Sequence, residues 1–209
     1  MSAASAAGKP MPDDEAGDRE QAVQRLYRAG RLPELVQVPE LSFLMLDGRG
    51  DPSVSDRFRD AVQALFGVSY RLRFARKRAG GVNYRIGPLE GLFVSEPPRD
   101  RSVWQWTLVI RQSADLTQAQ VLEAAAELAA TKQLPTALQL RLERFAEGHA
   151  AQILHLGPYT EERPTIERLH AFIADQGYKP AGRHHEIYLG DPRRSAPERL
   201  KTIIRQPVG

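Results

Sequence analysis

Gly182-Arg-His-His-Glu-Ile-Tyr-Leu-Gly190, running on into Asp-Pro-Arg-Arg194, is the stretch from which the fold is read. It has the form of a short strand closed by a glycine turn. Strand side chains alternate between faces, so His184, Glu186 and Tyr188 share one side, and His185, Ile187 and Leu189 the other. Ile187 and Leu189 can seat on a core. That leaves a carboxylate between a histidine and a tyrosine on the opposite face. Such a trio is either the outward face of a half-covered sheet or a grip for a cation. With a raised pKa the carboxylate could also activate a water.

The elements around this strand repeat in order. Leu41–Leu46 is a buried strand candidate, followed by a turn, Asp47-Gly-Arg-Gly-Asp-Pro52. Ser53 or Ser55 caps a helix with Phe58, Val62, Leu65 and Leu72 at helical spacing and Phe66, Tyr70 and Phe74 beside them. Gly67 inside that helix implies a close backbone approach, since glycine there costs about 1 kcal/mol against alanine. The helix ends in a basic run, Arg71 to Arg78, which reads as a solvated face at the negative end of the helix dipole. Asn83–Ile86 and Leu89–Ser95 form an interrupted strand. Ser102–Gln112 follows, with Trp104, Trp106, Leu108 and Ile110 on one face.

Thr117-Gln-Ala-Gln120 is a capping box opening a helix to about Thr131, with Val121, Leu122, Ala125 and Leu128 inward. Leu140–Phe145 and Ala150–Leu156 are strands. A turn at Gly157-Pro-Tyr-Thr160 leads into a helix carrying Ile166, Leu169, Phe172 and Ile173 that stops at Gly177. The focal strand and a last strand, Leu200–Arg205, complete the chain.

Strand, glycine turn, helix, strand, strand thus occurs twice, at roughly 40–112 and 149–206. The expected class is α+β: two tandem strand-helix-strand-strand modules, half-modules about 40–130 and 135–207. They form one antiparallel sheet with helices on one face and a ligand cleft at the junction. Residues 20–209 make a single domain. Residues 1–19 are small, polar and charged, and read as a disordered lead. Residues 20–31 can form a short helix with Val23, Leu26 and Tyr27 on one face.

Composition narrows the function. The chain has 209 residues with a net charge of +3, too mild a balance to argue for nucleic acid. It has no cysteine, which excludes disulfides and thiolate chemistry and fits a reducing cytoplasm. No apolar run reaches the roughly 18 residues of a membrane helix. The five histidines lack ligand spacing, His184 and His185 pointing to opposite faces, so neither metal nor cofactor is expected.

The ordered set Val38-Pro-Glu40, Asp47-Gly-Arg-Gly-Asp-Pro52, Gly67-Val-Ser-Tyr70, Pro88-Leu-Glu-Gly-Leu92, Trp104-Gln-Trp-Thr107, Gly157-Pro-Tyr159, Leu169-His170 and His184–Arg194 resembles the GyrI-like small-molecule-binding domain family. It covers about residues 38–207 and is similar to the stand-alone branch that includes cyclopropanoid cyclopropyl hydrolases and multidrug-binding relatives. The resemblance implies two tandem modules with a pocket between them. It also implies a pocket glutamate, matching Glu186, that meets cationic or polar aromatic ligands. Where many relatives carry tryptophan after Pro-Leu-Glu-Gly-Leu, this chain has Phe93, which keeps a ring and removes an indole donor.

These readings converge on an aromatic cage of Trp104, Trp106, Phe93, Tyr84, Tyr159 and Tyr188 around Glu186. By frequency the two indoles are core, though together they also make a wall for a flat ligand, and Glu90 is a second acid, in the pocket or at the surface. As an enzyme, the protein would open a strained cyclopropane by hydrolysis, with Glu186 as general base and Tyr159 or Tyr188 donating a hydroxyl to the developing phenolate. Otherwise it is a non-catalytic drug-binding protein or, third, a topoisomerase-inhibitor-like partner-binding protein. The partner expected is a small aromatic or cationic ligand, with neither nucleic acid nor membrane, for a cytoplasmic monomer or weak homodimer.

Overall fold

Among the described residues, eight strands and four α-helices carry the pattern of the sequence. The computed structural model describes residues 20–80, 84–94 and 100–209. The strands are β1 (Glu34–Val38), β2 (Leu41–Arg49), β3 (Leu89–Phe93), β4 (Gln105–Arg111), β5 (Arg141–Phe145), β6 (Gly148–Leu156), β7 (His184–Tyr188) and β8 (Lys201–Pro207). The helices are α1 (residues 20–25), α2 (Asp56–Arg78), α3 (Gln118–Lys132) and α4 (Arg163–Asp175). All strands join one antiparallel sheet in the order β1-β6-β8-β7-β3-β4-β2-β5.

That order is a two-fold arrangement. One half contributes β2-β4-β3 and the other β6-β8-β7, joined edge to edge where β3 pairs β7. The strand before each half crosses to the other: β1 flanks β6, and β5 flanks β2. Only Pro39 and Glu40 separate β1 from β2, and only Ala146 and Glu147 separate β5 from β6. In a flat sheet the strands of each linked pair would stand about 28 Å apart, six steps of the usual strand spacing. A two-residue link reaches about 11 Å. The sheet must therefore roll, and its second face becomes an interior.

Three helices cover the outer face, as expected. Ser55 caps α2, its hydroxyl accepting from the Phe58 amide. Thr117 and Gln120 cap α3 reciprocally. Leu44, Leu46, Trp106, Leu108 and Ile110 pack against Leu65, Val68 and Leu72 of α2 and Val121 and Leu128 of α3. Gly67 marks where α2 and α3 meet: a Cβ there would stand 2.7 Å from the Leu128 side chain. In the second half Ala151, Ile153 and Ile204 pack under Leu169 and Ile173 of α4. The inner face holds Phe43, Met45, Leu92 and Val109.

Several boundaries shift. β1 had no strand signal of its own, and its pairing is made more than a hundred residues away in the chain. Asp47, Gly48 and Arg49 continue β2 instead of turning, because the Trp106 ring lies across Gly48 and needs the bare backbone. Residues 84–88 carry no ladder, so β3 begins at Leu89. Leu122 and Leu189 are exposed. The helix at 20–25 is shorter than the expected 20–31, and it lies on the inner side, where Tyr27 reaches Glu90. The lead at 1–19, Asn83, Ser95 and the Pro97-Pro98 loop lie outside the described residues.

Candidate functional site

The join between the halves sets the site. Cross-strand pairs Gly91–Glu186, Phe93–His184 and Leu89–Tyr188 place Glu186 on the helix-bearing face, between the core under α2 and α3 and the core under α4. Its carboxylate accepts a hydrogen bond from the Tyr188 hydroxyl at 2.7 Å and lies 3.3 Å from Nε2 of His184. The Glu186 side chain is 16% exposed, enough to be reached and little enough to be shaped by its neighbours.

Rings stand on both sides. Phe93 meets Trp104 edge to face at 6.3 Å and His184 at 6.5 Å. Tyr159 meets Tyr188 edge to face at 5.4 Å. The Arg101 guanidinium covers the Trp104 ring at 4.6 Å. Burial holds the Tyr188 phenol well above its ordinary pKa, and the Glu186 carboxylate adds to it. Tyr159 is pushed up to about 12, by burial and then by the acidic groups Glu162, Glu186 and Asp191. Both stay protonated near neutrality and act as hydroxyl donors.

Glu162 was not foreseen. It sits where the 159–161 turn enters α4 and is 5% exposed, with Oε1 buried and unpartnered. Burial, and then the charge of Glu186, push its pKa to about 9, while the neighbouring Thr202 hydroxyl pulls the other way. Glutamates at helix starts are ordinarily solvated and favoured as anions by the helix dipole. Only the fold reveals that this one is enclosed opposite another carboxylate. His170 of α4 is a further neighbour, its pKa lowered by burial and by His184.

The expected cage thus divides. Glu186, Tyr188, Tyr159, Phe93 and Trp104 come together. Trp106 does not: it is 1% exposed, its indole N–H donates to the Gly50 carbonyl at 3.1 Å, and its ring packs on Phe58 at 5.1 Å. Tyr84 stands at the far end of β4, its hydroxyl 3.4 Å from Gln112 and its ring under Arg76.

Glu90 is neither at the surface nor in the cleft. One residue from Gly91, it points to the inner face and is fully buried. There it takes the Tyr27 hydroxyl at 2.9 Å and lies 3.0 Å from Nε2 of His185. Nδ1 of His185 bonds Glu147 at 2.9 Å, and Arg205 bonds Glu147, Gln152 and the Leu26 carbonyl. A ring with a carboxylate at each nitrogen is an imidazolium. Burial alone would depress its pKa, but Glu147 and Glu90 outweigh that and hold it at about 9. Burial likewise opposes the Glu147 anion, and His185 and Arg205 overcome it, to about 2. The cluster ties β3 to β7 and β8 and to the β5–β6 link.

Among the described residues no group of three or more histidine or acidic side chains is arranged to hold a metal ion, and no helix is long and apolar enough to cross a membrane. His155 is a fastener: its nitrogens meet the Thr165 hydroxyl at 3.0 Å and the Pro158 carbonyl at 3.3 Å.

Residues 108–208 match the sequence profile of the GyrI-like small molecule binding domain. No match was found among curated proteins. An uncharacterized conserved protein from Listeria innocua has a solved structure 34% identical over 91% of this chain and 98% of that one, with a TM-score of 0.83. A hydrolase from Listeria innocua is also 34% identical, over 92% and 98% of the two chains, with a TM-score of 0.81. The EcmrR C-terminal domain shares the fold, at 14% identity over 85% of this chain and 96% of that one, with a TM-score of 0.54.

Proposed function

The chain belongs to the GyrI-like small-molecule-binding family, and on that premise we propose that it takes flat aromatic or cationic small molecules at Glu186 and opens cyclopropane-bearing genotoxins by hydrolysis. The observation that carries this reading is the position of Glu186. It is a carboxylate held by Tyr188, set between two groups of rings, and reached from solvent at the join of the halves. The hydrolase from Listeria innocua supports hydrolysis as the reaction class.

The chemistry suits the groups present. A dienone conjugated to a cyclopropane is planar and stores ring strain. It can slide between the Trp104–Phe93 side and the Tyr159–Tyr188 side, gaining on the order of 0.5–1.5 kcal/mol per good ring contact. Glu186 takes a proton from water as the water attacks the ring methylene. The bond that breaks returns its electrons to the ring system, and the carbonyl oxygen becomes a phenolate. The Tyr159 hydroxyl can hydrogen-bond that oxygen as charge develops. General base help of this kind is worth typically 10²–10⁴-fold.

Turnover is tested by following the absorbance of a spiro-cyclopropyl cyclohexadienone mixed with the protein. Glu186→Gln should abolish turnover while the compound still quenches tryptophan fluorescence. Stoichiometric quenching by the unaltered protein, with no product, would replace hydrolysis by sequestration. An unchanged rate in Glu186→Gln would remove Glu186 as the base.

A further inference from the structure

Glu162 is a buried carboxyl that the chemistry above does not use. Its Oε1 is fully enclosed and without a hydrogen-bond partner, and the Thr202 hydroxyl beside the carboxyl does not offset its burial. A buried polar atom without a partner is destabilising, so such an arrangement calls for an explanation. The position supplies one. Glu162 stands within electrostatic reach of Glu186, Tyr159 and Tyr188, the groups already assigned to the cleft.

We infer that Glu162 is a second catalytic residue, the general acid that protonates the carbonyl oxygen of the substrate while Glu186 takes the proton from water. The inference rests on the ring-opening reading. In the balanced step, water oxygen bonds to the cyclopropane methylene, and the bond from that methylene to the carbon shared with the dienone ring breaks. Its electron pair aromatises the dienone, and the oxygen receives the Glu162 proton. Glu186 ends protonated and Glu162 ends as the anion, and exchange with solvent restores both. The sum is substrate plus one water giving one ring-opened phenol, with no other reactant.

The alternatives in the cleft are less suited. The Tyr188 hydroxyl is committed to Glu186. Tyr159, held at about 12, can stabilise a phenolate but gives up its proton reluctantly. An ordinary phenol has a pKa of about 10. An acid held near 9 delivers its proton to such an oxygen downhill. A buried carboxyl whose surroundings favour its protonated form is suited to the acid's role beside a second carboxyl group. The titratable groups around Glu162 are Glu186 and Tyr188 on β7 and Tyr159 in the preceding turn. His155 of β6 bonds the backbone and side chain on either side of that turn.

Two measurements test this. First, Glu162→Gln keeps size and neutrality, so it should fold, hold KM within about threefold and lose roughly 10²–10⁴-fold in kcat toward the spiro-cyclopropyl dienone. The alkaline limb of the pH–rate profile should disappear with it. A kcat within about threefold of the unaltered protein, or an alkaline limb that persists, overturns the inference. Second, infrared difference spectra of the unaltered protein should show a neutral carboxylic acid band that shifts on adding a planar acridinium cation and is missing from Glu162→Gln. Absence of that band overturns the inference without reference to turnover. A protein that shows the band but never consumes the dienone sinks the ring-opening reading, and Glu162 as its acid along with it.

Discussion

Gly91 and Glu186 face each other directly across the join of the two halves, as a registered pair on β3 and β7. A Cβ at residue 91 would stand 2.8 Å from the Phe93 ring and 3.1 Å from the Tyr188 hydroxyl. The glycine is what lets the ring and the phenol close on the carboxylate. Gly91→Ala should displace the Tyr188 hydroxyl from Glu186 and weaken binding of an aromatic cation about tenfold, read by fluorescence titration. An unchanged affinity would show that the hydrogen bond is not needed for binding.

The two indoles should separate cleanly by assay. Trp106 fills a slot over Gly48, so Trp106→Ala should cost about 3–5 kcal/mol in chemical denaturation, as large core truncations do. Trp104 borders the cleft, so Trp104→Ala should remove most ligand-induced quenching with less than about 1 kcal/mol of stability lost. A ligand that quenches both indoles equally would place the cleft elsewhere.

Stability should depend on the inner cluster at both ends of the pH scale. His185 is held at about 9, above its unfolded value. Its contribution is complete below about pH 6.5 and is lost as pH rises through 9. Glu147 is held at about 2. Its contribution is present above about pH 4.5 and fades as pH falls toward 2. Glu147→Gln leaves His185 and Arg205 short of a counter-charge and should cost about 3–5 kcal/mol at pH 6. Equal thermal midpoints for variant and parent would overturn this.

Glu162 acts in the opposite sense. A carboxyl held at about 9 in the fold but near 4.5 when unfolded costs stability increasingly as pH rises between those values. Glu162→Gln should therefore be more stable than its parent at pH 8, with the gain vanishing below about pH 4.5. Thermal melts at the two pH values check it. A variant less stable at pH 8 would mean that the carboxylate is ionised and paired.

Much of this was legible in the residues, for local reasons. The cap at Thr117, the stop at Gly177 and the side of β7 on which Glu186 sits follow from hydrogen bonds and alternation within a few positions. What escaped depends on distant partners. Glu90 and Glu186 lie on neighbouring strands and look alike in sequence, but register sends one inward to His185 and the other out to the cleft. Trp104 and Trp106 share a parity, yet the strand begins only after Trp104, which leaves one ring between Phe93 and Arg101 and seals the other over Gly48. Nothing near Glu162 indicates burial, because what encloses it arrives from β7 and β8.

The crossed strands have a consequence for ancestry. Each half borrows its outermost strand from the other, β1 serving β6 and β5 serving β2. Severed at residue 113, neither piece would own a complete module, and each would expose an unsatisfied edge awaiting its twin. The simplest forerunner is a short gene whose product worked as an arm-exchanged pair, later fused head to tail. In such a pair the two groups at the seam would be identical, whereas here one is a bare glycine, Gly91, and the other a carboxylate, Glu186.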